Sequence, residues 1–172
     1  MKGIDTNILV RHFANADDPQ TAVARRFLSS LTPEDPGYVS TVALMELWWV
    51  LSKTYEMERA GLIRTVGRML ADPRLRVEHE FEVADAVDRF VMGKADFQDY
   101  LIERRCSGAG CVRTMTFDHG AAKSAGMTLV DQNPSDSPAP RSVSTPSTAK
   151  MIAAIPRSAR AHHRRATRVM TP

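Results

Sequence analysis

Apolar residues along the chain follow two alternating spacings, and the alternation predicts helices separated by short strands. Apolar positions recur every three or four residues, as in amphipathic helices, over 20–31, 59–70 and 81–91. Three further helices are predicted over 42–53, from Asp96 toward Ser107, and over 119–124. Brief β-rich runs predict strands over Lys2–Asp5, 37–39, 75–77, 111–115 and 127–130. This order indicates an α/β fold with a central, mainly parallel sheet and helices on both faces.

The composition changes abruptly after Asp131, where Pro, Ser, Thr, Ala and Arg dominate. Such a stretch buries too little apolar surface to offset its ordering entropy. The sequence therefore predicts one compact domain over 1–131 and a disordered tail over 132–172. Residues 134–172 carry seven Lys or Arg against one acid, whereas residues 1–133 have a net charge of −3. The basic character of the chain belongs to the tail.

Several protein classes are excluded by simple counts. The two cysteines, Cys106 and Cys111, are too few for a disulfide framework or a four-thiolate zinc site, and they are interpreted as reduced thiols. The longest apolar run, Val42–Leu51, is interrupted by Glu46 and is too short to span a membrane. The first residues do not have the charged and apolar regions of a signal peptide. We therefore expect a cytoplasmic protein without membrane association.

The predicted helix over 42–53 is apolar on nearly all sides, so most of it is expected to be buried. The aromatic residues Trp48, Trp49 and Tyr38 are interpreted as core side chains rather than as platforms for stacking bases. Glu46 is the anomaly in this helix, because an isolated buried acid is costly unless another group pairs with it.

Acidic residues gather where a parallel sheet would bring loops together, at the carboxyl ends of strands. Asp5 ends the first predicted strand, and Asp118 follows the strand that begins at Cys111. Asp99 opens the helix before that strand, and Glu46 follows the second strand in its apolar helix. Four converging carboxylates would repel one another without a cation. A hard dication such as Mg²⁺ or Mn²⁺ prefers oxygen ligands, and near a phosphodiester it would support nuclease chemistry.

Each acid also has a simpler interpretation, which is weakest for Glu46 because an isolated acid among apolar residues is costly. Asp5 and Asp118 could cap the helices that follow them. Asp96 and Asp99 could stabilise the start of their helix, where negative charge is favoured by about 0.3–1 kcal/mol. The residues alone leave both interpretations open.

Four segments together resemble the PIN-domain ribonucleases and, within them, the VapC-type toxins of bacterial toxin–antitoxin pairs. The matching segments are Gly3–Arg11, Val39–Ser40 leading to Leu44–Leu47, Ala95–Ile102 and Thr114–Asp118. Each one alone is weak, but their order and spacing over about residues 1–130 make a specific signal.

The resemblance implies a three-layer α/β/α domain with Mg²⁺- or Mn²⁺-dependent endoribonuclease activity on RNA. It also implies a homodimer and neutralisation by a cognate antitoxin. By position, the metal-binding acids are Asp5, Glu46, Asp99 and Asp118, with Asp96 as an additional acidic candidate. Thr6, Asn7 and Thr116 match polar positions that support these acids by hydrogen bonding.

Two alternative functions are considered, and the tail departs from the pattern of the family. An aspartyl-nucleophile phosphatase needs a second acid two residues after the first, and that position is Asn7. A catalytically inactive PIN-like domain would instead bind RNA or an antitoxin-like partner without cutting. The tail has no counterpart in the family, and it is interpreted either as a basic arm that attracts RNA or as an extension from a shifted reading frame.

Overall fold

The computed structural model describes residues 1–14 and 18–130. The tail that the sequence predicts to be disordered, 132–172, lies outside the described residues. Seven helices occur in the described part of the chain: α1 Thr6–Phe13, α2 Pro19–Ser29, α3 Thr41–Lys53, α4 Arg59–Ala71, α5 Glu80–Met92, α6 Phe97–Gly108 and α7 His119–Ser124. None of these described helices is long and apolar enough to cross a membrane.

The strands are short and all their pairings are parallel, as predicted. Strands β1 (Lys2–Gly3), β2 (Gly37–Val39) and β3 (Leu75–Val77) form one sheet in that order. Strands β4 (Met115–Thr116) and β5 (Thr128–Leu129) form a separate pair. The predicted α/β fold with mainly parallel strands is confirmed, and the described strands are divided between the three-stranded sheet and this pair. Strands β1 and β4 have only two residues each, which limits the backbone hydrogen bonds that each can form.

Buried apolar side chains at the ends of the three strands form one side of the core. Val39 is fully buried, and Val77, its partner in the β2–β3 register, is nearly so. Ile4, directly after β1, is buried with them and fills the space over Gly37, where an added Cβ would lie 2.3 Å from Ile4 Cδ1. Leu44, which is fully buried, continues this core into α3. The sheet and α3 are thus one packed unit.

An aromatic stack joins α3 to α5 and α6. The Trp48 and Phe97 rings lie 4.1 Å apart, centroid to centroid, at an interplanar angle of 24°. Phe90 meets the Trp48 ring edge-on at 5.1 Å. Such contacts add to the apolar area that large rings bury. The core assignment of Trp48 is confirmed.

The expected burial of α3 is only partly correct. Trp49 is 55% exposed and Val42 is 76% exposed, so the core interpretation of Trp49 is wrong. Tyr38 is half-buried. Because neighbouring elements cover one side of α3, Trp49 falls on the open side although Trp48 beside it is buried. Glu46 is also exposed, so the expectation that it is a buried acid is wrong.

Element boundaries differ from prediction at two places that matter for the acids. The first strand ends at Gly3 rather than Asp5, because Asp5 caps α1 with its side chain. The strand expected over 111–115 begins only at Met115, since the Cys111 N–H donates to the Cys106 carbonyl at the end of α6. Cys106 and Cys111 are both free thiols.

Candidate active site

Thr6, the residue that follows Asp5, forms a hydrogen bond with Glu46. The buried Thr6 donates a hydrogen bond from Oγ1 to Glu46 Oε2 at 2.7 Å. Asp5 Oδ2 accepts from the side-chain amide of Asn7 at 3.0 Å and from the Asn7 backbone N–H at 3.4 Å. The carboxyl end of β1 is therefore linked to α3 by one strong hydrogen bond to a charged group.

Asp96, Asp99 and Asp118 form a second acidic group. Asp99 Oδ2 accepts from the Asp96 backbone N–H at 3.2 Å. Burial raises the pKa of the Asp99 carboxyl above its ordinary value, and the negative charges of Asp96 and Asp118 raise it further. Like charges close together disfavour the ionised form. The charges of Asp96 and Asp118 therefore add to the effect of burial in disfavouring the ionised form of Asp99.

Asp118 is held by the strand before it and the helix after it. Its backbone N–H donates to Thr116 Oγ1 at 2.9 Å, and its Oδ1 accepts from the Ala121 backbone N–H at 3.0 Å and from that of Gly120. Asp118 is thus the N-cap of α7, as the simpler interpretation of this residue expected.

The loop before α6 is fixed by a close approach of Gly93 to Tyr100. A Cβ on Gly93 would lie 1.8 Å from Tyr100 Oη, so only glycine fits beside that ring. The same hydroxyl accepts from the Ala95 backbone N–H at 3.3 Å. This packing sets where α6 starts and hence where Asp96 and Asp99 lie.

The four principal acids share one feature of their hydrogen bonding. Each accepts hydrogen bonds from described residues through a single carboxylate oxygen, Oδ2 of Asp5, Oε2 of Glu46, Oδ2 of Asp99 and Oδ1 of Asp118. The bonded oxygen orients the carboxylate, while the other oxygen makes no hydrogen bond within the described part of the chain. Helix capping and ligand binding are therefore compatible at these residues.

The structure does not gather all the acids into one cluster. Within residues 1–14 and 18–130 no three acidic, histidine or cysteine side chains lie close enough together to hold a metal ion. The Thr6–Glu46 bond and the Asp96–Asp99–Asp118 repulsion define two groups instead. The donor chemistry nonetheless fits a hard dication, because every candidate is a carboxylate and the repulsion at Asp99 is what a cation would relieve.

Glu78 is an acid at the same edge of the sheet that the sequence analysis missed. It directly follows β3, as Asp5 closely follows β1, so the same rule would have found it. Its Oε2 accepts from the Thr41 backbone N–H at 2.7 Å, in the first turn of α3. That bond lowers the pKa of Glu78 below its ordinary value of 4.5. Glu78 therefore fixes the start of the helix that carries Glu46.

We expect Glu78 to stabilise the fold at neutral pH and to lose that effect in acid. Because its pKa is lower in the folded chain, the stabilisation is complete above the ordinary pKa of 4.5 and disappears as the pH falls through the folded value. Glu78→Gln should lower the free energy of unfolding by roughly 1 kcal/mol at pH 7, allowing for partial solvent screening. Urea unfolding of both chains at pH 7 and at about pH 3 measures this, and an equal difference at both pH values would contradict it.

Comparison with known proteins gives one family. A family model described as the PIN domain matches residues 3–123, which include all five candidate acids. No curated protein matches the sequence.

Proposed function

The chain belongs to the PIN-domain family, and from this premise we propose that it is a metal-dependent endoribonuclease acting as the toxin of a type II toxin–antitoxin pair. The family match confirms the α/β fold, and PIN domains are generally metal-dependent nucleases. The observation that supports activity in this chain is the set of four oriented carboxylates, each keeping one oxygen free of hydrogen bonds with described residues.

We assign the metal-holding role to Asp5, Glu46, Asp99 and Asp118, with Asp96 as a further candidate. When bound, Mg²⁺ or Mn²⁺ supplies an activated water and neutralises charge on the phosphate and the leaving oxygen. The Thr6 hydroxyl orients Glu46 by donating a hydrogen bond to its carboxylate. The Thr116 hydroxyl accepts a hydrogen bond from the Asp118 backbone N–H and so holds the backbone of that residue. Oriented ligands reduce the reorganisation needed when the ion and the phosphodiester bind.

The proposed partners are an RNA substrate, a cognate antitoxin protein and a second copy of this chain, and the proposed compartment is the cytoplasm. Exposed apolar side chains support association with another protein. Trp49 is 55% exposed, Val42 is 76% exposed, and both flank Glu46 on the open side of α3. Large exposed apolar residues grouped on one helix face are typical of a surface that a partner covers.

Purified full-length chain is expected to cut total cellular RNA with Mg²⁺ or Mn²⁺ and to stop in EDTA. Asp99→Asn should remove the activity, because it deletes a carboxylate from the acidic group. Asp88→Asn is the matched control, since Asp88 is an exposed acid of α5 outside that group, and it should cut like the unaltered chain. Gel analysis of the RNA fragments measures cleavage by the unaltered chain, with metal and with EDTA, and by the two variants.

Thermal unfolding with and without Mn²⁺ separates the proposal from the inactive alternative. A ligand that binds the folded chain raises its melting temperature, so a metal site should respond and Asp99→Asn should respond less. A folded chain that neither cuts RNA nor gains stability from Mn²⁺ would refute the nuclease and favour an inactive PIN-like domain.

A further inference from the structure

An exposed aromatic ring, that of Phe117, lies directly before Asp118 in the chain. The side chain of Phe117 is 73% exposed. Consecutive Cα atoms are about 3.8 Å apart, so the ring and the Asp118 carboxylate start from neighbouring points of the backbone. Asp118 in turn lies near Asp99, whose carboxyl is affected by its charge. Phe117 therefore borders the second acidic group of the candidate active site.

Hydrogen bonds hold the backbone on both sides of Phe117. The Thr116 carbonyl accepts from the Val130 backbone N–H at 2.9 Å, which continues the pairing of β4 with β5. The Thr116 hydroxyl accepts from the Asp118 backbone N–H at 2.9 Å, and Asp118 then caps α7. The ring thus projects from an ordered point of the chain. A ligand that covers it would not have to order this backbone, which reduces the entropy cost of binding.

Phe117 continues an apolar surface on the outer side of β4 and β5. Met115 and Phe117 are exposed, whereas Thr116 between them is partly buried. Because successive side chains of a strand point to opposite faces, Met115 and Phe117 lie on the same face. The register pairs Thr116 with Leu129, so the exposed Val130 lies beside Phe117. A ligand that covers this surface would need an apolar or aromatic face of its own.

The charge of the domain does not favour a strand of RNA. Residues 1–133 have a net charge of −3, and Asp96, Asp99 and Asp118 concentrate negative charge at the candidate active site. Affinity for nucleic acids comes largely from Lys and Arg contacts with phosphates, and acids beside the strand oppose it. Stacking of a base on an aromatic ring contributes affinity without charge. A neutral ring at the border of the acidic group is therefore a contact that this surface offers to RNA.

We propose that Phe117 stacks on an unpaired nucleobase of the RNA, beside the phosphodiester that would be cut at Asp118. This inference rests on the proposed function, because it takes RNA as the ligand. A base reaches such a ring only when it is unstacked from its neighbours, so the substrate would be single-stranded at this point. A protein partner would need only the apolar area of the side chain, whereas a base needs its aromatic face. This difference allows an experiment to separate the two ligands.

Binding of oligoribonucleotides to the full chain in EDTA tests the stack without cleavage. The probes are unstructured strands of one sequence, in which a single abasic nucleotide is moved from position to position. We expect one abasic position to weaken binding to the unaltered chain about tenfold. Phe117→Ala should weaken binding of the intact strand by a similar factor, and the abasic nucleotide at that position should then cause no further loss. Losses that add at every position, or no binding of RNA by the unaltered chain, would overturn the proposal.

Two other substitutions of Phe117 distinguish stacking from apolar contact. Phe117→Leu keeps most of the apolar area but has no aromatic face, so it should bind the intact strand nearly as weakly as Phe117→Ala. Phe117→Trp should bind at least as tightly as the unaltered chain, because it keeps an aromatic face. Equal RNA binding by Phe117→Leu and the unaltered chain would show that the contact is not a stack.

Phe81→Ala is the matched control, because Phe81 is also an exposed phenylalanine but lies at the start of α5. It should bind every strand like the unaltered chain, and thermal unfolding should show that both alanine variants are folded. Light scattering tests the rival ligand, a second copy of this chain. A change in the oligomeric state of Phe117→Ala together with unchanged RNA binding would assign the ring to an interface and overturn the stack.

Cleavage with Mn²⁺ separates failure of the stack from failure of the proposed nuclease. If both hold, Phe117→Ala should raise KM about tenfold with a smaller change in kcat, because the ring contacts a base rather than the reacting phosphate. A Phe117→Ala chain that binds and cuts RNA like the unaltered chain would overturn the stack and leave the nuclease intact. A chain that binds RNA through Phe117 but does not cut it with Mn²⁺ would refute the nuclease and leave the stack intact.

Discussion

Glu46→Gln is expected to lower kcat/KM for RNA cleavage by about a hundredfold or more, with little change in stability. Residues that merely orient metal ligands already contribute about 10- to 100-fold, and Glu46 is proposed as a ligand itself. The amide keeps the size of the side chain but loses the negative charge. Because Glu46 is exposed, the folded chain does not depend on its burial. Initial rates with a defined RNA, together with urea unfolding, measure both effects.

Three further variants test whether the effect of Glu46→Gln arises in the proposed site. Glu34→Gln removes an exposed acid from the loop before β2 and should leave the cleavage rate unchanged. Thr6→Val should lower the cleavage rate, because it removes the hydroxyl that donates to Glu46 Oε2 at 2.7 Å. Thr6→Ser keeps that donor and should cleave at close to the rate of the unaltered chain. A Glu46→Gln chain that is folded and cleaves at the full rate would contradict the metal-holding role of Glu46.

The sequence predicts where the candidate acids lie along the fold better than it predicts what surrounds them. Asp5 and Asp118 are identifiable because each closely follows a strand, and this local signal survives small errors in strand boundaries. Glu78 carries the same signal after β3, but it lies outside the four segments that resemble the PIN-domain family. The relation between Glu46 and Thr6 depends on how α3 packs beside β1, which no local pattern specifies.

Burial on α3 shows where pattern analysis stops. Trp48 and Trp49 are adjacent and chemically identical, yet one is 5% and the other 55% exposed. A helix that is apolar on all sides gives no periodic signal for its core face, so only the neighbouring elements decide which side is covered. The cavity lined by His12, Arg25 and Arg68 is a similar case, because these residues are far apart in sequence and meet only where α1, α2 and α4 end.

The arrangement of strands into sheets shows another limit of prediction from the sequence. Parallel pairing follows from strands that alternate with helices, and all the described pairings are parallel. Whether the five strands form one sheet or two depends on backbone alignment over strands as short as two residues, where one displaced hydrogen bond ends the ladder. Composition and periodicity do not specify how individual backbone hydrogen bonds align between such short strands.

Phe97→Ala is expected to reduce the free energy of unfolding by about 3–5 kcal/mol, the largest stability effect we predict. Phe97 is fully buried, and its ring stacks on Trp48 at 4.1 Å between centroids. The substitution would remove that stack and the edge-on contact with Phe90, leaving a cavity between α3, α5 and α6. Urea unfolding followed by circular dichroism measures the loss. Since many domains are stable by only about 5–15 kcal/mol, Phe97→Leu provides a milder variant with a smaller expected loss.

Phe81→Ala is the matched control, because Phe81 is 81% exposed in the first turn of α5 and its truncation should change stability by less than about 0.5 kcal/mol. Phe97 also opens α6 two residues before Asp99, so the stack positions one of the proposed metal-holding acids. Phe97→Leu should therefore lower the cleavage rate while the chain remains folded, whereas Phe81→Ala should not. If Phe97→Ala is no more destabilising than Phe81→Ala, the aromatic stack does not anchor α6, and the placement of Asp99 must rest on the contact of Tyr100 with Gly93 and Ala95.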